Sequence, residues 1–278
     1  MTTLLETQMQ VAPEAEESTK RLDAFFSKLS RASESALLLD YDGTLAPFRV
    51  DASKARPWAG IEALIEAIQE CEGARVVFVT GRPAHSAARL LQLKRKPEIW
   101  GLHGAEHLLP DGTLERMLQA EVAMQAIEDA REAIEEAHLG FRVEHKLNSV
   151  GVHWRGKAFE SSKIAQEQAW DLMRRYTHIP TVKLLRFDGG FELRAGNHKG
   201  DAVKAIRAEL SDDAAVAYLG DDTTDEDAFE ALGDEGLSVL VRKVWRSTAA
   251  QAWIKPPEEL RRFLNRWKRT VCSQASTT

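Results

Sequence analysis

The chain has 278 residues, 44% of them apolar and 29% charged, with a net charge of -6; this describes a folded protein of one large or two modest domains and disfavours a general nucleic-acid binder. No apolar run reaches the length of a membrane span, and the first twenty residues lack the basic start and apolar core of a secretory signal, so a cytoplasmic protein is expected. The two cysteines, Cys71 and Cys272, stand far apart without ligand spacing, which points to a reduced protein with no disulfide framework and no zinc site.

Residues 1–18 are polar and acidic and are expected to be flexible. A weak helical pattern follows over 20–31 through Leu22, Phe25, Phe26 and Leu29. Ala36 to Leu39 is a short apolar run that suits a strand buried on both faces, and it breaks into Asp40-Tyr41-Asp42-Gly43-Thr44. Carboxylates at the end of a buried strand are costly unless compensated, and in an open α/β sheet that end is where ligands bind. The same residues also suit a plain Asp-Gly turn or a helix cap. Ile61, Leu64, Ile65 and Ile68 then repeat at helical spacing, and Arg75 to Val79 is a second buried strand, which completes a βαβ unit and hence a parallel sheet. This strand runs into Thr80-Gly81-Arg82-Pro83. A helix over 84–93 follows, then a strand near 99–102 ending in His103-Gly104-Ala105-Glu106.

From Asp111-Gly112 the texture changes. A long helical stretch over 114–138, alternating segments at 141–146 and 149–155, a helix over 157–176 and strand-like runs at 182–187 and 190–194 predict an α+β insert of roughly 80 residues. Alternation places Arg142, Glu144 and Lys146 on one face of its sheet and Phe141, Val143 and His145 on the other, and sets Glu192 and Arg194 opposite Phe191 and Leu193. A polar sheet face is ordinarily a solvent face; turned toward a site, it suits a polyhydroxylated ligand. The parallel pattern resumes with a helix from Lys199, a strand at 216–219 running into Gly220-Asp221-Asp222-Thr223-Thr224-Asp225-Glu226-Asp227, a helix, a strand at 237–241 and a closing helix at about 257–268. The acidic run alone reads equally well as a solvated helix cap. Beside Asp40 and Asp42, each at the end of a strand of one parallel sheet, it reads as a carboxylate cluster that a cation such as Mg²⁺ would relieve. Lys199 opens a helix, where anions bind, and Thr80 offers a hydroxyl and a backbone N–H to the same group.

In this order, DYDGTL (40–45), TGR (80–82), Lys199 and GDDTTDED (220–227) resemble the four motifs of the haloacid dehalogenase (HAD) superfamily of phosphotransferases. The resemblance implies an α/β fold with a Rossmannoid parallel-sheet core over 19–112 and 195–278 and an inserted α+β cap over 113–194. It implies Asp40 as nucleophile, Asp42 as general acid and base, and Thr80 and Lys199 on the phosphoryl group. Mg²⁺ would be held by Asp40, the Asp42 carbonyl and Asp221, supported by Asp222 and Asp225. DYDGTLAPF, GLHGAE, VEHK followed by HWR, and FELR are similar to the trehalose-6-phosphate phosphatase family. In that family the residues matching Glu144, Lys146, Arg155 and Glu192 bind the sugar; Arg82 joins them as a substrate contact. The family more often carries a tyrosine where this chain has Trp154.

The resemblance therefore implies a Mg²⁺-dependent phosphoric monoester hydrolase acting on trehalose 6-phosphate in trehalose biosynthesis. The alternatives are sucrose, mannosylglycerate or glucosylglycerol phosphate, and, in another class, a regulatory module associated with a trehalose-phosphate synthase. No nucleic-acid or membrane partner is expected.

Overall fold

The structure is a computed structural model and describes residues 15–49, 51–118, 120–154, 163–179, 181–187 and 189–273. Its centre is a sheet in which β12 (Ala252–Ile254), β11 (Leu237–Val241), β10 (Ala215–Gly220), β1 (Ser35–Leu39), β2 (Ala74–Val79) and β3 (Glu98–Gly101) run parallel in that order. Two short antiparallel strands, β4 (Glu106–Leu108) and β5 (Leu114–Arg116), extend the β3 edge. Strand β1 lies in the middle, fully buried, because its residues serve two cores. Leu37 and Leu39 pack under α1 (Ala15–Leu29), α2 (Ile61–Gln69), α3 (Ala84–Leu90) and α8 (Glu258–Cys272), while Ala36 and Leu38 pack under α6 (Lys199–Ala208) and α7 (Glu226–Leu232). An uninterrupted apolar strand is what a sheet covered on both faces requires.

The second sheet is antiparallel, ordered β6 (Arg142–Lys146), β7 (Ser149–His153), β9 (Gly190–Ala195), β8 (Val182–Phe187), and is backed by α4 (Glu121–Glu136) and α5 (Lys163–Arg174). Val150, Val152, Phe191 and Leu193 point into that backing and are fully buried with Ile127, Ala130 and Met173. Alternation then turns Glu144, Lys146 and Glu192 to the opposite face, toward the carboxyl ends of the parallel strands, where all three line a cavity with Asp40. The cap also meets the core through β8 and β9. Lys183 and Arg194 each approach Asp227 to 3.4 Å, and the Thr223 hydroxyl donates to the Arg186 carbonyl at 2.6 Å.

Several sequence expectations are corrected. The first helix begins at Ala15, inside the stretch expected to be loose. Residues 114–116, expected to open a long helix, form β5 because Leu114 pairs with Leu108 at the sheet edge; the helix proper begins at Glu121. Strand β12 was not foreseen, being only three residues long. Cys71 and Cys272, expected to be separate thiols, are joined in a disulfide with Cα atoms 5.1 Å apart. They are 201 residues apart in sequence, but α2 and α8 pack on the same face of the sheet and bring them together. Among the described residues no helix is long and apolar enough to cross a membrane.

Candidate active site

Four chain segments converge at the carboxyl end of the parallel sheet. Asp40 follows β1, Thr80 follows β2, Lys199 opens α6 and Asp221 follows β10, and all four are buried. Parallel neighbours in register deliver their ends to one edge, which is why residues 40 and 221 meet. The Lys199 ammonium donates to Asp40 Oδ1 and Asp225 Oδ1, both at 2.6 Å. Carboxylate oxygens of Asp40, Asp221 and Asp225 all lie within 4.8 Å of one another. Gly43, at φ 88°, lets the Asp221 carboxylate rest directly on its backbone; a Cβ there would overlap that group. The glycine of the first motif is thus fixed by the aspartate of the last.

The electrostatics follow from three acids around one ammonium. Burial, then the Asp225 and Asp42 charges, push Asp40 up to about 7 against the pull of Lys199. Burial and the neighbouring Asp40 and Asp225 raise Asp221 well above the ordinary carboxylate range. Asp225 moves down instead: although burial opposes it, Lys199 and the backbone of Asp222 hold its charged form. The set is rich in carboxylate oxygen and short of positive charge, which fits a hard divalent cation. Asp221→Asn is accordingly expected to raise the thermal midpoint of the metal-free protein by a few °C, since it removes one of the mutually repelling charges. The same variant is expected to lose the stabilisation that ~10 mM Mg²⁺ gives the wild type. Differential scanning fluorimetry with and without the metal reads both effects. A lowered metal-free midpoint would show that Asp221 is held by its partners and not crowded by them.

The roles expected of Asp222 and Asp225 separate here. Asp225 is fully buried and accepts from Lys199, from the Tyr218 hydroxyl at 2.7 Å and from the backbone N–H groups of Asp221 and Asp222 at 3.0 Å, so it shapes the loop that carries Asp221. Asp222 caps the following turn through the Thr223 N–H at 2.8 Å. Two residues not foreseen, Arg242 and Arg246, donate to the Asp221 carbonyl at 3.4 and 3.3 Å, and Arg246 also donates to the Asp222 carbonyl at 2.6 Å. Their only sequence signal was two arginines after a strand of the same sheet. Tyr218 had a clearer one, because a phenol inside a fully buried strand needs an acceptor.

Asp42 receives Arg82 in a bidentate pair at 2.5 and 2.6 Å. The expectation that the Thr80 backbone N–H faces a ligand is corrected: it donates to the Trp100 carbonyl at 2.9 Å, extending the β2–β3 pairing, while the hydroxyl accepts from the Arg82 N–H at 3.2 Å. The hydroxyl and not the amide is the group Thr80 turns to the site.

Above these residues lies a cavity of ≈ 430 Å³ whose walls include Asp40, Asp42 and Thr80 on the core side and Glu144, Lys146 and Glu192 on the cap side. Glu192 is buried and accepts from Lys146 at 2.9 Å and Ser149 at 2.8 Å. Burial would raise its pKa, but Lys146, His103 and Arg194 hold it well below the usual range. The hydrogen bond from His153, at 2.8 Å, brings Glu144 down to about 2. His145 faces the other way, pairing with Glu135 at 3.0 Å. Arg155 lies outside the described residues. Trp154 packs edge-on against Phe191, ring centroids 4.7 Å apart, so the tyrosine-to-tryptophan departure falls on the packing side of the cap sheet.

Residues 38–255 match the family model of trehalose-phosphatase. Trehalose-phosphate phosphatase of Mycobacterium marinum is 31% identical over 260 residues, a match spanning 87% of this chain and 62% of the mycobacterial protein. Trehalose 6-phosphate phosphatase RA3 of Zea mays is 29% identical over 263 residues, spanning 85% of this chain and 70% of the maize protein. In fold, the chain is similar to the C-terminal domain of C. albicans trehalose-6-phosphate phosphatase, with a TM-score of 0.75 at 19% identity over 90% of this chain and 96% of that one. A haloacid dehalogenase-like hydrolase from B. subtilis aligns with a TM-score of 0.59 at 17% identity over 84% of this chain and 99% of that one. With its central parallel sheet, inserted cap and four motifs gathered at one edge, this chain belongs to the trehalose-phosphatase family.

Proposed function

We propose that this protein hydrolyses trehalose 6-phosphate to trehalose and phosphate through an aspartyl-phosphate on Asp40. The observation that carries the reading is a single cavity with two chemically different ends, carboxylates and Lys199 on the core side and Glu144, Lys146 and Glu192 on the cap side. The first end suits a phosphoryl group and the second a sugar, whose hydroxyls both donate and accept hydrogen bonds.

A carboxylate oxygen of Asp40 attacks phosphorus and the bond from phosphorus to the sugar oxygen breaks; Asp42 gives its proton to the leaving oxygen. A water then attacks the phosphorus of the aspartyl-phosphate, Asp42 takes the proton, and the bond to Asp40 breaks to release phosphate. Asp42 rests in its bidentate pair with Arg82, so Arg82 must hand over at least part of that pairing to the incoming phosphate before Asp42 carries a proton. Lys199 and the Thr80 hydroxyl hold the phosphoryl oxygens. Mg²⁺, held by Asp40, Asp221 and the Asp42 carbonyl, would neutralise charge on the phosphoryl group when bound.

A module without catalysis would need none of this set, and all of Asp40, Asp42, Lys199 and Asp221 are retained. Phosphate release with Mg²⁺ across trehalose, sucrose, glucose, mannosylglycerate and glucosylglycerol phosphates tests the reading. Trehalose 6-phosphate is expected to exceed the others in kcat/KM by at least ~10-fold. Preference for another member would retain the chemistry and replace the substrate, and silence on every member would overturn both.

A further inference from the structure

We propose that His103 is a positioning residue that ties Glu192 of the cap to the Thr80-Gly81-Arg82 loop of the core, so that the sugar-facing carboxylate and the phosphoryl-facing loop are set by one side chain. The naming of the substrate rests on the function proposed above; the tie itself rests on geometry.

His103 follows β3 in a turn where Leu102, His103 and Gly104 have φ of 48°, 57° and 102° in succession. Positive φ is uncommon for residues with a side chain, and two of them together imply that the surroundings hold the turn in place. The backbone N–H of His103 donates to the Thr80 carbonyl at 3.0 Å. Its imidazole crosses the front of the next residue: a Cβ on Gly81 would stand 2.5 Å from His103 Nε2. The middle residue of the second motif is therefore glycine, in this chain, because the ring occupies the space of its side chain. The same Nε2 also meets Glu192 Oε2 at 3.2 Å.

The protonation state follows from burial, which lowers His103 to about 4 against the pull of Glu192. A neutral ring facing an acceptor-only carboxylate carries its proton on Nε2, as the donor; Nδ1 is buried without a partner among the described residues. This arrangement makes His103 a poor acid or base and a good fixed donor. Among the described residues Glu192 then meets three donors, from Lys146, Ser149 and His103, of the roughly four a carboxylate can accommodate. About one position is left for a sugar hydroxyl, in a direction that the other three define. Without His103, Oε2 loses its core partner and the carboxylate turns with the cap alone.

The test compares wild type, His103→Leu and His103→Gln on trehalose 6-phosphate and on p-nitrophenyl phosphate, an ester with no sugar for the cap to grip. His103→Leu is expected to raise KM for the sugar phosphate by ~10–100-fold and to slow p-nitrophenyl phosphate turnover by a clearly smaller factor, since the loosened 80–82 loop serves both esters and the Glu192 contact only the sugar, and His103→Gln, which keeps an amide N–H near the Nε2 position, to recover most of the KM. Amide hydrogen exchange is measured in parallel. Strand β9 and residues 80–82 are expected to exchange faster in His103→Leu than in wild type. Equal losses on both esters, equal impairment of the leucine and glutamine variants, or unchanged KM and exchange would each overturn the tie. If wild type cleaves p-nitrophenyl phosphate and no sugar phosphate, the substrate reading fails, and exchange alone decides the tie: faster exchange in both segments supports it and unchanged exchange overturns it.

Discussion

Asp40→Asn is expected to reduce phosphate release by at least ~10³-fold while leaving the fold intact. The two halves of this outcome come from the same atoms. An amide oxygen is a poor nucleophile, so the covalent step is lost. Yet that oxygen still accepts the Lys199 bond now made by Asp40 Oδ1 at 2.6 Å, and the substitution removes one charge from a cluster whose burial already pushes Asp40 up to about 7. The thermal midpoint is therefore expected to stay level or rise, unlike the fall that accompanies most buried substitutions. Acid quenching separates chemistry from binding: wild type mixed with substrate should yield a hydroxylamine-labile phosphoryl protein, and the variant none. Retention of more than ~10% of wild-type turnover by a well-folded variant would remove Asp40 from the nucleophile's place.

What the sequence revealed, and what it hid, divides along the reach of local signals. Strand β1 was legible because Ala36 to Leu39 is apolar without interruption, and Asp40 was legible because a charge ends that run. The polar face of the cap sheet was legible through period-two alternation, and Glu144, Lys146 and Glu192 do share the cavity with Asp40. Alternation could not say that Glu192 is held by Ser149 and His103, since both contacts depend on how strands and domains meet. The Thr80 amide misled for a similar reason: a residue just beyond a strand can still belong to the sheet, and here the Trp100 carbonyl claims it. The disulfide was hidden by distance. Nothing within either neighbourhood of Cys71 or Cys272 reports the other, and only the packing of α2 against α8 does. Asp225 was undecided because the acidic run around it is equally a cap and a cluster. The Tyr218 hydroxyl and the Lys199 ammonium, both on it, resolve that ambiguity.

Lys199→Met is expected to be the most destabilising single substitution at the site, by about 3–5 kcal/mol, because it removes one partner of a buried ion pair and leaves the others charged. At ~2–4 °C per kcal/mol for a chain of this size, the midpoint should fall by roughly 10 °C. The ammonium is fully buried between Asp40 and Asp225. Burial disfavours its charge, yet the two carboxylates raise its pKa above the ordinary lysine value, so it stays charged throughout the neutral range. The pH dependence has a definite sign. In the folded wild type burial pushes Asp40 up to about 7, against its ordinary 3.8. Between those values the folded state binds a proton that the unfolded state does not, so carboxylate crowding costs more as pH rises. Without Lys199 the crowding is worse, and the variant should regain stability on going from pH 8 to pH 5. The double variant Lys199→Met/Asp225→Asn separates crowding from lost packing. If unpaired charge is the cause, removing a second charge recovers much of the loss at pH 8, and thermal melts of the two variants should converge as pH falls. If the deficit is the same at both pH values and in both variants, the lysine acts through its methylene chain, and the charge balance proposed for this site is wrong.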